Sequence, residues 1–477
     1  MASGYPWTIS RLEQSLSPLW LIATTSWSIS IVESYCTYVR STLPYEYIIN
    51  PVQLGFWHYD PDHSTILSLQ LIILILKMDC KPAITTVSLG SCEFHSITDK
   101  IDEAARNGFK AIELFIDDLE ALAKDISPTP ANSAPSRDSV LAAARRIRQQ
   151  CDRLNIVILN LQPLRFYEGL VDRKKRNQIL DEVLPIWMDA LTILGADTIL
   201  VPSNFLPEDP ATGLPQTVRD VDIIVEDLRE LAARGAQHES SIKFAYEALA
   251  WGTHVNTWEK SWEIVQAVNR PNFGLALDTF NIAGAVYADP TTKDGRVADT
   301  AETDLTASLG RMASTLDISK LFIVQIADAE RLSEPLHPGH PLYVESQPSR
   351  LSWSRNCRLF LCESDRGGFL PVLSILKAIL DLGWTGYLAY EVFSRSLADN
   401  DHRTPARHAE RAKRSWQRLC DIAESKRDQR DQSKSPARSK SPAAGGFELP
   451  GMGFLETVVH EVEKGVDVGL SLGGIVI

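Results

Sequence analysis

The chain has 477 residues, a formal net charge of −13 and 44% hydrophobic residues, which is enough apolar material for a sizeable core. That acidic balance excludes a nucleic-acid binder held by clustered Lys and Arg, while a local pocket can still take an anionic small molecule. Seven scattered cysteines without a C-x-x-C pair exclude a thiolate zinc site and point to reduced, cytoplasmic usage.

Residues 1–77 differ from the rest, being rich in Trp, Tyr, Ser and Ile with no regular alternation. Their apolar run 66–76, ILSLQLIILIL, is too short for a membrane span, so a poorly ordered extension is expected and no membrane anchor. Met78, just before the first orderly strand, would make a natural start. From there strands and helices alternate. AITTVSL (83–89) reads as a strand and Ser96–Asn107 as an amphipathic helix stopped by Gly108. KAIELF (110–115), IVILNL (156–161) and DTILVP (197–202) are the next strands. Helices are expected up to Leu154 after a Pro/Ser-rich loop (127–137), over Arg173–Leu194, and over Thr217–Arg234.

The stretch Phe244–Gly284 reads as a strand ending in Glu247, a helix over Val255–Val268, and a strand ending in Asp278, a parallel βαβ unit. LFIVQIAD (321–328) and GYLAYEVF (386–393) are the seventh and eighth strands, separated by an insertion (329–368) and a helix over Pro371–Leu382; a last helix covers Pro405–Ser425. Eight such units predict a (β/α)8 TIM barrel over 78–425, an α/β fold with irregular N- and C-terminal extensions. Residues 426–477 form a low-complexity, Ser/Pro-rich linker (426–445) and a tail.

Active sites of such barrels lie at the C-terminal strand ends. On strands five to eight those ends carry Glu247, Asp278, Gln325 and Glu391. Three carboxylates and one amide oxygen in an apolar mouth call for a cation, and all-oxygen ligands suit Mg2+, Mn2+ or Co2+. The alternative is that loop Arg or Lys residues pair with them.

The segments VSLG, AIELF, QPLRFYEG, YEALAWG, LDTFNIAG, FIVQIADAE, HPGHPLY, WSRNCRLF and AYEVFSR resemble fungal 3-dehydroshikimate dehydratases of quinate catabolism, members of the xylose-isomerase-like TIM barrels. The resemblance spans about 78–425 and implies metal-dependent dehydration of 3-dehydroshikimate to protocatechuate, with Glu247, Asp278, Gln325 and Glu391 as metal ligands. It implies a small anionic substrate. Arg165 is the first choice for its carboxylate, then Arg355 and Arg358, with Tyr167 or Trp353 packing on the ring. Base candidates are Glu113, at the end of strand two, and His95; the position three after Asp278, where bacterial relatives carry His, holds Asn281. His337 and His340 are expected in a loop over the substrate. A sugar or hydroxypyruvate isomerase or epimerase of the same superfamily is the competing reading, and oligomerisation is left open.

Overall fold

Eight short parallel strands close into a barrel in the computed structural model, which describes residues 80–130 and 133–434. They are β1 (Lys81–Thr85), β2 (Ala111–Phe115), β3 (Val157–Gln162), β4 (Thr198–Pro202), β5 (Lys243–Glu247), β6 (Phe273–Asp278), β7 (Leu321–Ile326) and β10 (Tyr387–Tyr390). The order around the barrel is β1-β10-β7-β6-β5-β4-β3-β2, so each strand neighbours its sequence neighbour and the last closes on the first. The two remaining strands, β8 (Asp328–Ala329) and β9 (Arg358–Leu359), pair antiparallel as a separate ribbon. The barrel belongs to a compact unit that ends at Glu424. The expected extension over 1–77 and the tail from 435 onward lie outside the described residues.

The strands are nearly all apolar because both faces are covered, one by helices and one by the barrel interior. Outward-facing residues join one large core with the helices, whereas Ala83, Ala111 and Ala389, and separately Leu200, Ala245, Ala276 and Ile323, form small clusters of their own. Side chains alternate along a strand. An apolar interior residue, Ala in four of five cases, is therefore followed two positions later by a polar one: Ala111 by Glu113, Ala245 by Glu247, Ala276 by Asp278, Ile323 by Gln325, and Ala389 by Glu391. That alternation builds an apolar floor beneath a polar layer.

Local signals set the helix ends. Ser96, Ser136, Asp172, Asp220 and Thr257 each accept a backbone N–H as N-caps, and Asn155 and Asn269 close helices in the left-handed conformation. These caps start two helices later than periodicity alone placed them, at Val221 instead of Thr217 and at Trp258 instead of Val255. The helix expected over Arg173–Leu194 is interrupted by a wider π turn at Ile179–Val183, because Pro185 cannot donate to a carbonyl one turn back. β1 ends at Thr85, and Thr86–Leu89 forms a 3-10 turn, with the Thr86 hydroxyl accepting from Phe115 N. The sequence pattern does not reveal the helices at Ile116–Ile126, Thr279–Val286, Ala301–Thr315 and Ser349–Cys357. The last helix runs past Ser425 to Lys434, through a stretch with no Pro or Gly to stop it. Among the described residues, no helix is long and apolar enough to cross a membrane.

Candidate functional site

The polar layer lies where the strands end. Glu247 and Asp278 are the last residues of β5 and β6, Gln325 faces Asp278 in the β6–β7 register, and Glu391 follows β10 directly. All four are buried, at 4% exposure or less. One carboxylate oxygen each from Glu247, Asp278 and Glu391 lies within 4.8 Å of the other two. Two full charges at that spacing repel by about 3–4 kcal/mol at an effective dielectric near 20. Burial, then the charges of Glu391 and Asp278, push the Glu247 carboxyl well above its usual range; burial also raises Asp278, and raises Glu391 to about 7.

Asp278 has a second task. It caps the helix Thr279–Val286, its Oδ1 accepting from Phe280 N at 2.9 Å. Asn281, one turn into that helix, donates through Nδ2 to Glu247 Oε1 (2.8 Å) and Asp278 Oδ2 (2.9 Å), while its Oδ1 accepts from Ala250 N. A residue set aside in the sequence as unable to act as a base thus bridges two of the carboxylates.

Arg358 is placed otherwise than expected. Its guanidinium, 1% exposed, donates from Nη1 to Asp278 Oδ2 (2.7 Å) and Glu391 Oε2 (3.2 Å), so it serves the carboxylates and does not reach outward for a ligand. The β8–β9 ribbon and an Arg358 N to Phe393 O bond hold it down on the barrel. One guanidinium cannot balance the layer, since Glu113, Glu247, Asp278 and Glu391 are all buried there. Gln325 Oε1 is also buried without a hydrogen-bond partner. An unpartnered amide oxygen beside surplus carboxylates matches the donor set of a hard divalent cation.

The remaining sequence candidates separate. Arg355 is partly buried, stacks on Phe393 (4.5 Å to the ring centroid), and makes no hydrogen bond or ion pair among the described residues. Burial first, then the neighbouring Arg165 and Arg358, pull it down to about 10. It lines a cavity of about 330 Å³ with Phe115, Asp117 and Phe393, above β1, β2 and β10. Arg165 instead spends its fork on Asp117, with two bonds of 3.3 Å, and lies over Phe115. Tyr167 does not face the mouth: it is fully buried and donates its hydroxyl to the Asp227 carbonyl on an outer helix. Trp353 packs on Phe280 inside the fold. His95 is buried, with Nε2 2.8 Å from the Asp399 carbonyl, and Glu113 accepts from four donors. Both therefore have hydrogen-bond partners within the chain. His337 is exposed beside Glu334.

Residues 101–420 match the family described as xylose isomerase-like TIM barrel. Over 345 residues the chain is 43% identical to the 3-dehydroshikimate dehydratase of Neurospora crassa, a match that covers 72% of this chain and 94% of that protein. The chain belongs to the 3-dehydroshikimate dehydratase family of xylose isomerase-like barrels. A second family member, the Pseudomonas aeruginosa 3-dehydroshikimate dehydratase, is 31% identical over 65% of this chain, which spans only 38% of it. Among solved structures, a xylose isomerase-like TIM barrel/4-hydroxyphenylpyruvate dioxygenase fusion protein superposes with a TM-score of 0.51 at 26% identity, covering 75% of this chain and 46% of that one. The IOLI protein, described with a bound zinc atom, superposes at 0.50 and 18% identity over 71% of this chain and 98% of its own, a likeness of fold alone.

Glu168, in the same loop as Arg165, is a further buried carboxyl of this family member. Its Oε1 accepts from Asn204 N (2.6 Å) and the Tyr246 hydroxyl (3.1 Å), and its Oε2 has no partner. Burial raises it to about 7, against the opposing pull of those two donors. The unfolded chain titrates near 4.3. A folded pKa above the unfolded one favours folding at low pH, and that contribution is lost as pH rises through about 7. Glu168→Gln should therefore raise the melting temperature at about pH 8 and change it little at about pH 4. The stability gained by the substitution should differ between the two pH values by on the order of 3 kcal/mol; equal shifts at both pH values would remove this role for the buried charge.

Proposed function

We propose that the chain converts 3-dehydroshikimate to protocatechuate with loss of water, using a divalent metal (Mg2+, Mn2+ or Co2+) held by Glu247, Asp278, Gln325 and Glu391. The observation that carries this reading is the imbalance of the polar layer: four buried carboxylates, one buried guanidinium and an unpartnered Gln325 oxygen. The identity to the Neurospora dehydratase over 94% of its length supports the substrate.

The proton to be removed lies next to a ketone, so negative charge grows on the ketone oxygen as the bond breaks. A bound divalent cation supplies Lewis-acid stabilisation of that charge, worth several kcal/mol. Asn281 and Arg358 hold the carboxylates in one geometry through donors aimed at Glu247, Asp278 and Glu391. We assign the substrate carboxylate to Arg355, whose planar fork matches a carboxylate and is unused. Phe393 carries both guanidinium groups, Arg355 at 4.5 Å and Arg358 at 5.2 Å from its centroid, and so links the cavity to the carboxylates. The β-hydroxyl then leaves and takes up a proton, so that the proton and the hydroxyl are lost together as water, and tautomerisation to the aromatic ring makes the step irreversible. A neutral sugar has no use for Arg355, which weighs against the isomerase reading.

The scattered cysteines, with free thiols at Cys92, Cys151, Cys357 and Cys362, fit a reducing compartment, and we place the reaction in the cytoplasm as part of quinate utilisation. The test gives the full chain 3-dehydroshikimate and follows the ultraviolet absorbance of protocatechuate. Product should form with metal, stop with EDTA and resume with excess Mn2+. Metal-replete protein that forms no product would overturn the proposal.

A further inference from the structure

Glu113 stands in the polar layer beside the four proposed ligands but is not one of them. It is 1% exposed, and each of its contacts is to a donor. Oε1 accepts from Asn160 Nδ2 at 2.7 Å; Oε2 accepts from Thr85 Oγ1 (2.9 Å), Gln162 Nε2 (2.9 Å) and Gln325 Nε2 (2.7 Å). The site is built by β3, where the register against β2 shifts between Ile112 and Leu114, so that two residues of β3 lie opposite Glu113. Three of the four donors converge on Oε2, so the oxygen that meets Gln325 is the more heavily engaged of the two.

The contact with Gln325 fixes more than a distance. A carboxylate only accepts, so the end of the Gln325 amide that meets it must be the NH2. The same nitrogen also donates to Glu391 Oε1 at 3.3 Å. The amide oxygen is thereby left on the other side, buried and unpartnered. Turned by half a rotation, the amide would set its oxygen against the Glu113 carboxylate and put an NH2 where the unpartnered oxygen now lies, and an N–H cannot ligate a cation.

We propose that Glu113 is a positioning residue: it locks the Gln325 amide with its oxygen toward the divalent-cation site, and does not abstract a proton. The proposal rests on the reading that Gln325 is a metal ligand. Partners of this kind behind a ligand typically carry about 10- to 100-fold of metal affinity.

Position and charge are separable at Glu113. Glu113→Asp keeps the charge and draws the acceptor back from Gln325. Glu113→Gln removes the charge and keeps a carbonyl in reach, and the unpartnered Oδ1 of Asn160 can turn to accept from the new NH2. The experiment titrates the metal-free full chain with Mn2+ alone, by calorimetry, and records metal-free melting temperatures on the same samples. Glu113→Asp should weaken Mn2+ binding by about 10- to 100-fold and Glu113→Gln by less than about threefold. The metal-free melting temperature should be unchanged in both. The opposite order would mean that charge, not position, is what Glu113 supplies, and overturns the proposal, as do two unchanged affinities or two equal losses. An affinity loss that tracks a lower metal-free melting temperature marks a packing role and also overturns it. Wild-type protein that binds no Mn2+ removes the metal reading itself. Wild-type binding that is lost in Asp278→Asn but intact in Glu113→Asp removes only this inference.

Discussion

Asp278→Asn should lower kcat/KM for 3-dehydroshikimate by about 10³-fold or more while leaving the barrel folded. The fold should survive because Asn caps a helix as well as Asp does, and the Asn carbonyl can still accept from Phe280 N. The site should not survive. With that carbonyl on Phe280, the new NH2 replaces Oδ2, where the Arg358 guanidinium and the Asn281 amide both donate, so donor faces donor. One anionic oxygen is removed from a cluster whose atoms lie within 4.8 Å of one another. A loss of about 4 kcal/mol in transition-state stabilisation corresponds to the stated factor. Steady-state kinetics, with circular dichroism to confirm folding and Mn2+ titration to confirm the lost affinity, checks it. An Asp278→Asn enzyme within tenfold of wild type would remove Asp278 from the chemistry.

Arg355→Ala should be the second large effect, expressed mainly as a raised KM. Truncating one partner of a buried, hydrogen-bonded charge pair costs about 2–5 kcal/mol, or roughly 30- to 4,000-fold in kcat/KM. Arg355→Lys should recover only part, since an ammonium restores the charge without the fork. Arg165→Lys is the internal control. Arg165 is already committed to Asp117, so its effect should stay below about tenfold. If Arg165 proves the costlier loss, the carboxylate site lies on the β3 side of the mouth and not beside Phe393.

The placement of Arg165 on Asp117, with Arg355 stacked on Phe393, shows where sequence reasoning runs out. All eight strands were legible, because apolar runs recur at regular spacing, and on the last four a carboxylate or amide marks the strand end. The gathering of Glu247, Asp278, Gln325 and Glu391 followed from strand ends alone. The fifth member was also written there: Ala-Ile-Glu at 111–113 repeats the small-x-polar pattern of Ala-Tyr-Glu at 245–247 and 389–391. Reading interior positions by that pattern places Glu113 in the same layer before any question of its role. What could not be read is whatever depends on long loops. Whether Arg355 or Arg358 bends inward is decided by the β8–β9 ribbon and by Phe393, which lie far apart in the chain. Tyr167 shows the same limit, since the Asp227 carbonyl it meets is 60 residues away.

The ribbon has a consequence for how such an enzyme can change. Arg355 and Arg358 both ride on the one excursion between β7 and β10, and β8 and β9 fasten it to the exit of β7. The carboxylates of the inner layer belong to the strands and their ends, and both arginines to a single loop segment. Selection can therefore rewrite what the mouth accepts by altering a single stretch of chain, without disturbing the barrel beneath. Within that segment Arg358 is the exception, because it is anchored to the carboxylates. A lineage that trades its substrate is expected to vary around Arg355 before it touches Arg358.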